Sequence, residues 1–160
     1  MPRKNIRQEV ERKGVVSFLA GITILLTFLL VDFVANLVEY GIILASLGAT
    51  AFLVFVYPGH KTSRLENVVG GYVLSCLSGG LAQLLLSKFL PLAAALSVGL
   101  SVFLMLIFKF EHPPASGIAL SFALYALSLQ EIASVLVGLT IFLILTALLT
   151  KTIREIAIAP

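Results

Sequence analysis

The sequence predicts an all-α integral membrane protein, a polytopic helical bundle, and three observations carry that class. Hydrophobic residues make up 59% of the chain and charged residues 12%, with a mean hydropathy of +1.09, far more apolar than a soluble domain of 160 residues. The apolar runs are about twenty residues long, the length at which a helix crosses roughly 30 Å of hydrocarbon. Strand-like alternation is absent from them. A lone cysteine, Cys76, excludes an intramolecular disulfide and a cage of several thiolates. The two histidines, His60 and His112, lack ligand spacing on one helix, so neither a metal nor a cofactor is expected. The basic residues behind the pI of about 9.2 sit in short loops beside apolar runs. That placement fits membrane topology rather than nucleic-acid binding.

Residues 1–14 read as a basic leader on the cytoplasmic surface, carrying Arg3, Lys4, Arg7, Arg12 and Lys13. A single transmembrane domain is expected over 15–154, with a short tail at 155–160. Its first span, 15–38, is too long for the apolar region of a signal peptide and has no small-residue cleavage site. Asp32, Asn36 and Glu39 share one face near its outer end. They form an interfacial polar end, or Asp32 faces the bundle interior as an intramembrane ionisable group. The second span, 41–57, is short and carries small residues from Ser46 to Ala51. Pro58-Gly59 then turns the chain, and Ser63 with Glu66 has the spacing of a capping box for a third span, 65–87. Gly71, Ser75, Gly79 and Gln83 step by four along that span, a small and polar stripe that marks a helix-packing face in lipid. The fourth span covers 89–108.

Between the fourth and fifth spans lies the stretch Glu111-His112-Pro113-Pro114. Proline lacks an amide donor and disfavours helix in the residue before it, so Pro113 and Pro114 force a break and then suit the first turn of a new helix. A short fifth span at 114–129 and a sixth at 132–150 complete the chain. Six crossings put Lys61, Arg64, Lys109, Lys151 and Arg154 with the basic leader, and leave Lys88 alone outside. This positive-inside pattern places both termini in the cytoplasm, at the plasma membrane.

Each half of the chain reads long, short, long, and three spans per half invert the second half relative to the first. The small residues around Gly48, Ala49 and Ala51 align with Ser116, Gly117 and Ala119. Paired short segments of this kind point to a substrate site between inverted repeats. If both short helices start or break near the midplane, their unpaired amides converge on one point that attracts a small inorganic anion. The hydroxyls of Ser46, Thr50 and Ser116 add donors, and Gly48, Ala49 and Gly117 allow close approach.

These residues carry a resemblance to a known family. The chain resembles the HPP family of small integral membrane proteins, named for the tripeptide that stands here at His112-Pro113-Pro114. The small-residue segment from Ser46 to Ala51, Asn67 with the pair Gly70-Gly71, and Ala115 to Ala119 after the prolines are similar to the family pattern in order and spacing. The resemblance implies a helical membrane domain. Because some members are linked to nitrite transport, it also implies anion transport, and it adds Asn67, Gly70 and Gly71 to the expected substrate contacts. The chain departs from the pattern at Arg64-Leu65-Glu66, where an acid replaces a basic residue. It also has Tyr72 where a histidine commonly follows the glycine pair, and Ser116-Gly117 for the usual glycine-alanine.

His112 is either the imidazole that locks the break by bonding a nearby carbonyl or Glu111, or a gating and proton-coupling group acting with Glu111 and Asp32. Three functions follow: a transporter or channel for a small, nitrite-like anion; an oligomeric scaffold built on the glycine stripes; and an intramembrane enzyme. No nucleophile and base in helical register supports the third.

Overall fold

A computed structural model describes residues 6–35, 41–125 and 128–158, and all regular structure among them is helical. Helix α1, Ile6–Ala35, begins well inside the basic leader, because Arg7, Gln8, Glu9, Glu11 and Arg12 are all good helix formers. Asn36 and Glu39 lie outside the described residues. Helix α2, Gly41–Val56, is followed by a turn in which the His60 amide donates to the Tyr57 carbonyl at 3.0 Å. A 3-10 turn, Lys61–Ser63, then leads to α3, Leu65–Leu86.

The capping box expected at Ser63 and Glu66 does not form. The N-cap of α3 is Arg64, with no side-chain bond, and Ser63 Oγ donates instead to the Leu53 carbonyl of α2 at 3.0 Å. Tertiary contact has taken the hydroxyl from its local partner. The same four-residue pattern succeeds before the last helix. There the Ser128 amide donates to Glu131 Oε2 at 2.6 Å, and the Glu131 amide donates to Ser128 Oγ at 3.3 Å.

Helix α4, Leu90–Phe108, ends at Lys109, whose φ of 61° makes it a left-handed cap with its amide on the Met105 carbonyl. This reversal aims residues 110–112 back across the bundle. Pro113–Ala115 form a second 3-10 turn, followed by α5, Ser116–Tyr125, and α6, Leu129–Ile158. As the prolines require, the break is real and the new helix starts just after them.

Four helices, α1, α3, α4 and α6, are long and apolar enough to cross a membrane. The other two are short. Helix α2 has 16 residues and α5 has 10, about 24 Å and about 15 Å of helix, against roughly 30 Å of hydrocarbon. The chain is an integral membrane protein of the helical-bundle class, as its composition requires. Its main core joins Ile43, Leu47, Tyr72, Met105, Ile118, Phe122, Val135 and Phe142, drawn from every helix except α1, which packs partly buried residues against it.

The extensively packed helix pairs obey a simple exchange. Helix α3 packs on α4 as α6 does on α1, α4 on α5 as α1 does on α2, and α3 on α5 as α6 does on α2. Swapping the first three helices for the last three therefore maps each pair onto another pair, although α2 packs on α6 far more sparsely than α3 on α5. At the centre of that exchange, α2 meets α5.

Candidate functional site: a buried imidazole and hydroxyl cluster

Ser46 and Thr50 are four residues apart on α2 and face inward together. Both are buried, Thr50 completely. Tyr72 of α3 reaches them with its phenol oxygen 2.7 Å from Thr50 Oγ1 and 3.2 Å from Ser46 Oγ. His112 arrives from the break, fully buried, with Nε2 2.9 Å from Thr50 Oγ1 and Nδ1 2.7 Å from the Thr62 carbonyl oxygen. Its ring lies tilted against that of Tyr72 at a centroid distance of 5.5 Å.

The hydrogens of this cluster can be assigned from the partners. A carbonyl only accepts, so Nδ1 of His112 carries a hydrogen and donates to Thr62. In the neutral ring Nε2 is then an acceptor, and the Thr50 hydroxyl donates to it. The Tyr72 hydroxyl donates to Thr50 Oγ1, and Ser46 Oγ donates to the Pro114 carbonyl at 2.6 Å. Each group is satisfied, as a buried polar network must be. Burial lowers the His112 imidazole from its ordinary range to about 4, an effect the bond to Thr62 partly opposes.

Helix α3 supplies the seat for the break. A Cβ on Gly70 would sit 2.4 Å from the Phe110 ring, and one on Gly71 would sit 2.8 Å from His112 Cβ, so only glycine admits residues 110–112 this close. Asn67 Nδ2 donates to the Glu111 carbonyl at 3.3 Å. The Glu111 carboxylate forms an ion pair with Lys61 of the first 3-10 turn. Asn67, Gly70, Gly71, Glu111 and His112 are thus brought together, and Ser46 and Thr50 join them. On α5, a Cβ at Gly117 would be 3.2 Å from Ser46 Cβ, which makes Gly117 the contact between the two short helices.

The remaining expected residues lie elsewhere. Helix α2 runs unbroken through Gly48, so that position offers no free helix N-terminus. Gly48 lies on the opposite side of α2 from the cluster, with nothing within 4 Å of its would-be Cβ, and Ala49 is exposed on the flank of the helix, in the groove that reaches Pro113 and Pro114. At the start of α5 the amides are already engaged. The Ala115 amide donates to the His112 carbonyl at 3.0 Å, and the Ser116 amide bonds into the Pro113-Pro114 turn. Ser116 Oγ donates to the Pro113 carbonyl at 2.7 Å. Asp32 is half-buried in the last turn of α1, a helix that supplies no member of the cluster.

Tyr72 is the member that sequence reasoning left out of the site. Its signal was present: a phenol hydroxyl inside an apolar span needs a buried partner, and it follows directly on the glycine pair. The small stripe of α3 is used inside the chain. Gly71 meets His112, Ser75 Oγ lies 2.7 Å from Ser101 Oγ of α4, and a Cβ on Gly79 would fall 2.5 Å from the Ala119 carbonyl of α5. No group of three or more histidine, cysteine or acidic side chains gathers as a metal site among the described residues.

No curated protein and no solved structure matches the chain. The family model described as "HPP, transmembrane region" matches residues 9–157, which include all the residues of the cluster and the break that seats it. This chain therefore belongs to the HPP transmembrane family.

Proposed function

We propose that the domain carries a small inorganic anion, nitrite-like in size and charge, across the membrane. Ser46, Thr50, Tyr72 and His112 are its polar station, and α2 and α5 are the pair that moves around it. One observation carries this reading. The two short helices meet at the centre of an exchange-symmetric packing, and the buried polar cluster sits beside their contact. Transporters built from inverted repeats bind substrate at that place. The cluster has hydroxyl and imidazole donors, which in this reading turn from their internal acceptors to the anion, and no fixed cationic side chain, which suits weak, reversible binding. In the same reading the chain crosses six times, with both termini cytoplasmic at the plasma membrane.

The test is a panel of nitrite, nitrate, chloride, formate and bicarbonate offered to reconstituted vesicles, with protein-free vesicles as the leak control. Saturable uptake of at least one anion is expected. Thr50→Val should lower it about five- to 150-fold, the kinetic equivalent of losing a buried hydrogen-bond partner worth ~1–3 kcal/mol. Absence of uptake across the whole panel would sink the proposal.

One observation favours a second reading, a membrane scaffold without transport. The gap beside Tyr72, bounded by Ile43, Leu47, Ile118, Val135 and Leu139, measures only about 10 Å³ and is apolar. That is room for about one water. A scaffold predicts that no anion of the panel raises the unfolding temperature, whereas a bound substrate raises it.

A further inference from the structure

The hydrogen-bond geometry around His112 accepts a second proton as readily as the first. With a hydrogen on Nε2, the imidazolium donates to Thr50 Oγ1 across the same 2.9 Å. The Thr50 hydroxyl then turns to the Ser46 carbonyl, 3.0 Å away. Tyr72 continues to donate to Thr50 Oγ1, or shifts to Ser46 Oγ at 3.2 Å. No bond is lost in the exchange. Thr50 is the pivot, because its hydroxyl has one hydrogen and two well-placed acceptors.

Electrostatics is what the site lacks. Helices α2 and α5, on one side of the ring, contain no Asp, Glu, Lys or Arg. From α3 come the neutral Tyr72 phenol, with Cys76 one turn beyond it and Glu66 back in the first turn, where Glu66 pairs with Arg64 at 3.7 Å. Glu111, the adjacent carboxylate, is ion-paired to Lys61, and His60 hydrogen-bonds Thr62. A proton on His112 would thus be a fully buried charge with no counter-charge of its own, which is strongly disfavoured. An anion arriving beside the ring would supply that counter-charge and favour the protonated form.

An open, almost wholly apolar groove of about 850 Å³ runs along α2 past Ala49, Phe52 and Tyr57 to Thr62, Pro113 and Pro114, and ends at the backbone that covers the buried imidazole. From these features we infer that the domain takes up a proton and a monovalent anion together, the proton on His112 Nε2 and the anion as its counter-ion, and releases both on the far side. Transport is then electroneutral. The inference rests on the anion-transport reading and adds its coupling.

The experiment uses reconstituted full-length chain, nitrite as the probe, a pH dye trapped inside, and membrane voltage clamped with potassium and valinomycin. Protein-free vesicles correct for passive leak of the undissociated acid. The expected result is nitrite influx matched by proton influx in equal numbers, at a rate unchanged between inside-negative and inside-positive clamps. In His112→Gln, proton entry should vanish, and the residual nitrite flux should depend on voltage. As a check that needs no variant, adding nitrite to lightly buffered, detergent-solubilised protein should make the solution more alkaline. Voltage-driven nitrite influx without protons would overturn the coupling and leave the transport reading intact. Absence of any protein-dependent nitrite influx would overturn both.

Discussion

At the scale of single residues, the site is decided by which protons are available. His112 has two partners, and one of them, the Thr62 carbonyl, fixes the tautomer. Its burial has a consequence for stability with a definite sign. Above pH 6.5 the imidazole is neutral in both the folded and the unfolded chain and contributes nothing. As pH falls from 6.5 towards about 4, the unfolded chain takes the proton and the folded chain does not, so stability declines with acidification. The loss should reach about 3 kcal/mol near pH 4. Thermal unfolding in detergent at a series of pH values checks this: the wild type should lose stability across that window, and His112→Gln should lose distinctly less.

At the scale of the elements, glycines divide into those that set distances and those that do not. Gly79 lets α3 and α5 touch, with its would-be Cβ 2.5 Å from the Ala119 carbonyl and 2.9 Å from Ala119 Cα. Backbone cannot move aside as a flexible side chain can, so Gly79→Ala should cost ~1–3 kcal/mol. Gly48 faces open space in the middle of α2, so Gly48→Ala should be neutral or stabilising by up to ~1 kcal/mol through helix propensity. A pair of melting curves separates the two outcomes. The same contrast explains what was legible in the sequence. Span lengths, the break at Pro113-Pro114 and the packing stripe of α3 follow from local chemistry, and all can be read from the sequence. Which face of α2 turns inward cannot be read locally, because Ser46 and Thr50 on one face, Gly48 on the opposite one and Ala49 on the flank are all small. Neighbouring helices make that choice. Ser63 is a similar case, since a local pattern for capping yielded to a carbonyl contributed by α2.

At the scale of the whole molecule, the topology turns on whether the two short helices, α2 and α5, cross the membrane. In the proposed six-crossing topology, Gln130, at the start of α6, lies on the side opposite the termini. A cysteine placed there, in a Cys76→Ser background, should react with a membrane-impermeant thiol reagent from outside intact cells. Labelling from the cytoplasmic side alone would remove the last crossing and, with it, the inverted arrangement of the two halves. The oligomeric state enters at this scale too. Because Gly71, Ser75 and Gly79 are already engaged within one chain, association between copies has to use other surfaces.

The exchange of helix pairs is not a perfect one. Where α3 meets α5, Gly79 lies directly on the Ala119 backbone, whereas the corresponding junction of α2 with α6 borders the small gap lined by Ile43 and Leu47 of α2 and Val135, Gly138 and Leu139 of α6, and closed by Tyr72 and Ile118. One seam is zipped and its counterpart is slack. Under the proposed transport function, such a difference between corresponding seams is what a rocking exchange between two resting positions requires. In that reading the other position is the one in which the α2–α6 seam has tightened and the α3–α5 seam has loosened. In the Cys76→Ser background, a cysteine at Ala119 should therefore gain reactivity during turnover, while one at Leu139 should lose it.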